Sequence, residues 1–185
     1  MKAVMPEFSR VVPEEAVAGG EVVRQIEAGP GECRALAARF GLVAVDHLDA
    51  VVRLRRLDGG RMVRVRGRLS ADVVQTCVVT LEPVPARVVE EFGALFAPPA
   101  MIPVAGPDDS GDLVLDPFAL DEDAPEAMTG AGIDIGELTA QHLSLALDPY
   151  PRRPGATFTG FDDGAADAEA VTNPFKALAL LKRSD

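Results

Sequence analysis

Apolar and polar residues alternate along two long runs, 42–57 and 61–81, separated by Asp58-Gly59-Gly60. A period of two marks strands buried on one face, and a short glycine-containing break between two such runs marks a hairpin. After Glu82-Pro83-Val84-Pro85 the alternation returns, with Val88, Phe92, Ala94 and Phe96 on one side, interrupted by Glu90. An antiparallel β-meander is therefore predicted for the middle of the chain. Upstream, 8–12 and 21–28 read as short strands, and 32–41 (ECRALAARFG) reads as a helix closed by its glycine.

Past Phe96 the pattern changes. Residues 97–132 have little periodicity, and eight Asp or Glu stand between Asp108 and Glu126, which predicts a solvated acidic loop. Periodicity resumes at 134–147 (DIGELTAQHLSLAL): Asp134 and Glu137 have capping-box spacing, and Ile135, Leu138, His142 and Leu145 share a helical stripe. Asp148-Pro149-Tyr150-Pro151 ends that helix, 152–172 read as a flexible linker, and 173–183 (NPFKALALLKR) read as a last short helix. The predicted fold class is α+β, an antiparallel β-meander core packed with two or three short helices. Residues 1–155 are expected to form one domain, and 156–185 a linker with a docking helix.

Composition narrows the class. The 185 residues are 48% hydrophobic and 25% charged, typical of a globular chain, and 17 Gly with 15 Pro call for generous loops. No run approaches the roughly 18 apolar residues of a membrane helix, and the start of the chain resembles no export signal. With only Cys33 and Cys77, no disulfide framework is available, so a cytoplasmic protein with free thiols is expected.

The cysteines and histidines offer little chemistry. Cys77 falls inside QTCVVTLEPV, where strand periodicity groups it with Val73, Gln75, Val79 and Leu81 and no local cation or histidine activates it. Packing is the expected role. His47 and His142 have no metal-ligand spacing with the cysteines, and the acidic loop lacks the ordered oxygen donors of a calcium loop. Neither a phosphate-cradling glycine loop nor a nucleophile elbow is present, so no catalytic residue, metal, cofactor or small-molecule substrate is expected.

Charge is more informative. The net charge is −11, yet 51–69 carry seven arginines against Asp58, a local +6 that leaves −17 on the rest. Alternation puts Arg53 and Arg55 on one strand and Arg64, Arg66 and Arg68 on the next, all on the face opposite Val52, Leu54, Val63 and Val65. Two readings fit equally. The arginines could be the solvated outer face of an antiparallel sheet, or they could contact RNA phosphates, to which the planar guanidinium fork is suited. The acidic loop could also fold over them when no partner is present. The last helix has its own small apolar face with basic residues at its end; Phe175, Leu178, Lys182 and Arg183 are the candidates for docking, on this chain or on a partner.

Three segments taken in order, VVQTCVVTLEPVPARV (73–88), IDIGELTAQHLSLALDPYP (133–151) and NPFKALALLKR (173–183), resemble the YceD family of large ribosomal RNA subunit accumulation proteins. The resemblance implies a non-catalytic ribosome-assembly factor promoting accumulation or processing of 23S rRNA. Its partner would be that RNA or a pre-ribosomal particle. An acidic module or chaperone holding a basic ribosomal protein is the alternative. Many members of that family carry a Cys-x-x-Cys pair at the strand turn and a further cysteine after the central helix, suggestive of metal. Here Thr80 takes the second position and 151–155 contain no cysteine, so loss of any such metal is expected.

Overall fold

The computed structural model describes residues 6–57, 59, 61–102, 125–128 and 132–158. Most of the predicted acidic loop, most of the linker and the whole C-terminal helix lie outside the described residues. Among the described residues the fold is α+β, as the alternation predicts: a five-stranded, mainly antiparallel sheet with two α-helices.

A two-residue strand β1 (Val11–Val12) is followed by a 3-10 turn, then by β2 (Val22–Glu27) and helix α1 (Pro30–Phe40). The long strands β3 (Ala44–Leu57), β4 (Met62–Thr76) and β5 (Pro83–Ala97) form the meander. Short strands β6 (Glu126–Ala127) and β7 (Ile133–Asp134) then lead into helix α2 (Ile135–Ala146). The sheet order is β2-β3-β4-β5-β6, antiparallel except for β6 beside β5, while β1 pairs with β7.

The inward face follows from period two. Leu48, Val52 and Leu54 on β3 and Val63, Val65 and Leu69 on β4 are fully buried, each contributing roughly 1.5–3 kcal/mol. Val45 is also buried although it has the parity of Arg53, and the register shift between Val45 and His47 explains it. One extra residue in a bulge reverses the facing of everything beyond it. Because of that bulge, Val45 and Leu54 both face the core and Arg53 faces out.

On the inward side Gly67 makes room for an aromatic ring. A Cβ there would meet the Phe92 ring at 2.2 Å, so the missing side chain is what lets Phe92 lie across β4. Phe92 in turn stacks on His142 of α2, with ring centroids 4.7 Å apart.

The helices start and stop for local reasons. Helix α1 begins two residues before the expected 32, because Pro30 fits the first helical turn, where no backbone N–H is needed. Glu32 Oε2 accepts a hydrogen bond from the Gly29 N–H at 2.7 Å, and Gly41 closes the helix at φ 67°. Asp134 caps α2 as its spacing predicts, accepting from the N–H groups of Gly136 and Glu137 at 3.0 and 3.1 Å. Glu137 does not complete the capping box. Its carboxylate takes a two-pronged ion pair from Arg39 of α1 at 2.9 and 2.7 Å.

The stripe predicted for α2 is half right. Ile135 and Leu138 are buried with Thr139 and Leu143, His142 is half-buried, and Leu145 is 79% exposed. At about 100° per residue, Leu145 stands some 200° around the helix from Leu143, away from the sheet.

Candidate nucleic-acid interface

The outward face of the β3–β4 hairpin holds all five predicted arginines. Arg53, Arg55, Arg66 and Arg68 are exposed and Arg64 is half-buried. The register sets Arg53 directly opposite Arg66 and Arg55 directly opposite Arg64, with Arg68 opposite Val51. Like charges in direct cross-strand positions repel, by an amount comparable to the roughly 0.2–1 kcal/mol that favourable pairs contribute. Among the described residues Arg68 is the one of the five with a carboxylate at ion-pair distance, Glu91 at 3.6 Å on β5, and both side chains are largely exposed. Such a pair contributes little and is easily displaced. Arg53, Arg55, Arg64 and Arg66 have no ion pair among the described residues.

Two shallow depressions open among these side chains. One of about 300 Å³ is lined by Val51, Arg53, Arg66, Gly67 and Arg68. Its neighbour of about 220 Å³ adds Glu21, Arg55, Leu57 and Arg64. The sequence pattern located the arginines but missed Glu21 and Glu91, which depend on how β2 and β5 are registered against the hairpin. The alternation of β5, which puts Glu91 on the face opposite Phe92, is the signal that would have found the second.

The outward face is polarised along the strands. At the end away from the hairpin turn it carries Glu27, Asp49 and Asp72, with His47 Nε2 3.0 Å from Asp49 Oδ1 and Arg87 beside Asp72 at 4.0 Å. The five arginines thus gather at one end of the face, with Glu21 and Glu91 at their margins, while Glu27, Asp49 and Asp72 stand at the other end beside Arg87.

Cys77 departs from the expected core strand. Strand β4 ends at Thr76, and Cys77 heads a turn in which Leu81 adopts φ 60°. The Sγ accepts hydrogen bonds from the Thr80 and Arg153 N–H groups, both at 3.4 Å, while Val78 N–H donates to the Pro151 carbonyl at 2.9 Å. Cys77 has no exposed surface, but its cover is this turn and the 151–153 segment rather than the main apolar cluster. The Arg153 N–H first, with Thr80 adding to it, lowers the thiol to about 6. Arg153 also ion-pairs with Glu82, holding the segment in place.

One thiol beside a threonine does not suit a structural metal, which takes four N or S donors. Among the described residues no group of three or more His, Cys, Asp or Glu converges on such a position. Cys33 lies on the buried side of α1, and burial raises its thiol. His142, stacked on Phe92, is lowered by burial against the opposing pull of Glu126 and Glu90. A further depression of about 460 Å³ lies at the C-terminal ends of α1 and α2, lined by Phe40, Leu42, Gln75, Leu145 and Asp148 among others. Gln75 Nε2 donates to the Asp148 carbonyl there at 2.9 Å, and Asp148 Oδ1 accepts from Tyr150 N–H. Gln75 and Asp148 are thereby engaged in closing the turn. The predicted docking residues Phe175, Leu178, Lys182 and Arg183 lie outside the described residues.

Fold and face together define an α+β protein that presents a basic β-ribbon on an otherwise acidic chain. The family model described as large ribosomal RNA subunit accumulation protein YceD matches residues 65–182, more than half of the 185, and the chain belongs to the YceD family. Membership implies a role in the accumulation of large-subunit ribosomal RNA. Arg66 and Arg68, Cys77, α2 and the C-terminal segment fall within the matched span; Arg53, Arg55 and Arg64 precede it. Searches of curated proteins and of solved structures give no match. Among the described residues no helix is long and apolar enough to cross a membrane.

Proposed function

We propose that the chain is a non-catalytic ribosome-assembly factor of the cytoplasm that promotes accumulation or processing of 23S rRNA by direct contact. In this reading Arg53, Arg55, Arg64, Arg66 and Arg68 engage rRNA phosphates, and the C-terminal helix docks on another assembly component. One observation carries it: Arg53 with Arg66, and Arg55 with Arg64, face each other across the hairpin without a carboxylate partner among the described residues. A polyanion laid over them converts mutual repulsion into charge-assisted hydrogen bonds. The non-catalytic part of the reading draws on the spacing of the candidates: the described hydrogen-bond partners of Cys77 Sγ are the Thr80 and Arg153 N–H groups, with no histidine base among them, and His142 is stacked on Phe92 instead.

The test is binding of large-subunit rRNA fragments by the full chain and by a variant with Arg64→Gln, Arg66→Gln and Arg68→Gln combined. Loss of binding in a variant that melts like the parent is expected. Unchanged affinity would overturn the RNA-contact reading.

A second reading, an acidic chaperone for a basic ribosomal protein, is favoured by the −17 outside the hairpin and by Glu27, Asp49 and Asp72 at the far end of the face. A pull-down with and without ribonuclease separates the two, since a protein partner retained after RNA digestion supports the second.

A further inference from the structure

We infer that the arginine face takes the phosphate backbone of double-stranded RNA rather than a single strand, an assignment that rests on the rRNA-contact reading above. Three features of the outward face lead there. The first is the placement of its rings. Its outward positions on β2 to β5 include Val23, Gln25, Val51, Ser70, Val89 and Leu95, and none is Phe or Tyr. Phe92 and Phe96 are on the buried side, and His47 is at the carboxylate end. Proteins that hold single strands stack unpaired bases chiefly on aromatic rings, each worth roughly 1–3 kcal/mol, and among the described residues the arginine end of this face carries no such ring.

The second feature is shape. A single strand is held in a groove that tracks its backbone. Here the depressions of about 300 and 220 Å³ are shallow openings between side chains on a broad wall. Four strands at ~4.8 Å spacing make that wall roughly 14 Å across, and Arg64 to Arg68 cover roughly 14 Å along it. A duplex carries its phosphates on its outside and meets such a wall without needing a groove.

The third is rigidity. The arginines spring from paired positions of two long strands, so their Cα spacing is fixed at ~6.7 Å along each strand and ~5 Å between them. A fixed array gains most from a ligand whose phosphates are already held in place, because a flexible strand must lose conformational entropy to match it. The carboxylates Glu27, Asp49 and Asp72 at the other end repel phosphate and limit the footprint to about the five arginines. An A-form duplex keeps its base edges in a deep, narrow major groove that arginines on a flat sheet do not enter, so the contact is with phosphates and is indifferent to sequence.

The experiment uses the full chain with an RNA duplex of about 20 base pairs of mixed sequence and its two separated strands, designed not to self-pair. Fluorescence anisotropy should show the duplex bound about tenfold or more tighter than either strand, with similar affinity for a second duplex of scrambled sequence. Its affinity should fall with a log–log salt slope of roughly −4 to −5, as five neutralised phosphates require. The variant Arg53→Gln/Arg66→Gln, verified folded by its melting curve, should lose most of the duplex affinity. Strands that bind as tightly as the duplex, and are weakened by the same variant, would overturn the duplex assignment and leave the rRNA-contact reading standing. A duplex preference that survives the variant would remove this face as its source. Failure of duplex, strands and rRNA fragments alike would overturn both readings.

Discussion

At the scale of single residues the two most informative positions are Cys77 and Gly67. Neither is explained by its neighbours in sequence. Local alternation makes Cys77 one more inward residue of a strand; the N–H of Arg153, contributed 76 positions later, donates to its sulfur and lowers the thiol. The folded thiol titrates at about 6, below the ~8.5 of an unfolded chain. Its stabilising contribution is therefore full above the unfolded value and is lost as pH falls through 6. Thermal melts of the parent and Cys77→Ser near pH 5, 7 and 9 should show a gap that widens as pH rises; parallel curves would refute the thiolate. For Gly67→Ala, the new Cβ must push the Phe92 ring from its place and disturb its stack on His142. A loss of about 1–3 kcal/mol in denaturant unfolding is expected. The alternation of β4 does not reveal which ring fills the space at Gly67, because that depends on the β4–β5 register.

At the scale of elements, Asp134 is the joint between the N-terminal segment and α2. Besides capping the helix, its carboxylate accepts from Arg10 N–H at 2.7 Å and Ser9 O–H at 2.6 Å. The capping role was legible because it is local, an acidic residue three before a glutamate. The tie to Ser9 and Arg10 was not, because 124 and 125 positions separate the partners. Asp134→Ala should cost about 1–3 kcal/mol by equilibrium unfolding, since cap and joint are lost together; Asp134→Asn, which still caps, should cost less. On the hairpin, Glu91 competes with phosphate for Arg68. Glu91→Gln should therefore tighten RNA binding, by about twofold, and leave the melting curve unchanged. Weaker binding in that variant would mean that Glu91 positions Arg68 rather than competing for it.

At the scale of the whole molecule, charge is distributed so that a strongly acidic chain carries a basic face on the β3–β4 hairpin. Long-range repulsion by the net −11 should slow association with RNA at low salt, while the local +6 of the hairpin sets the contact once it forms. The sequence by itself determined the α+β class, the hairpin, the cap of α2 and the side of the sheet on which the arginines stand. All of these follow from periodicities of two or 3.6 residues and from residue preferences that act over a few positions. Only the tertiary structure decided that Arg53 meets Arg66 and Arg55 meets Arg64, that Glu91 sits against Arg68, and that Cys77 ends under Arg153. Those pairings depend on register, on the bulge after Val45 and on contacts between distant segments. A one-residue slip changes them all without altering the local pattern that the sequence displays.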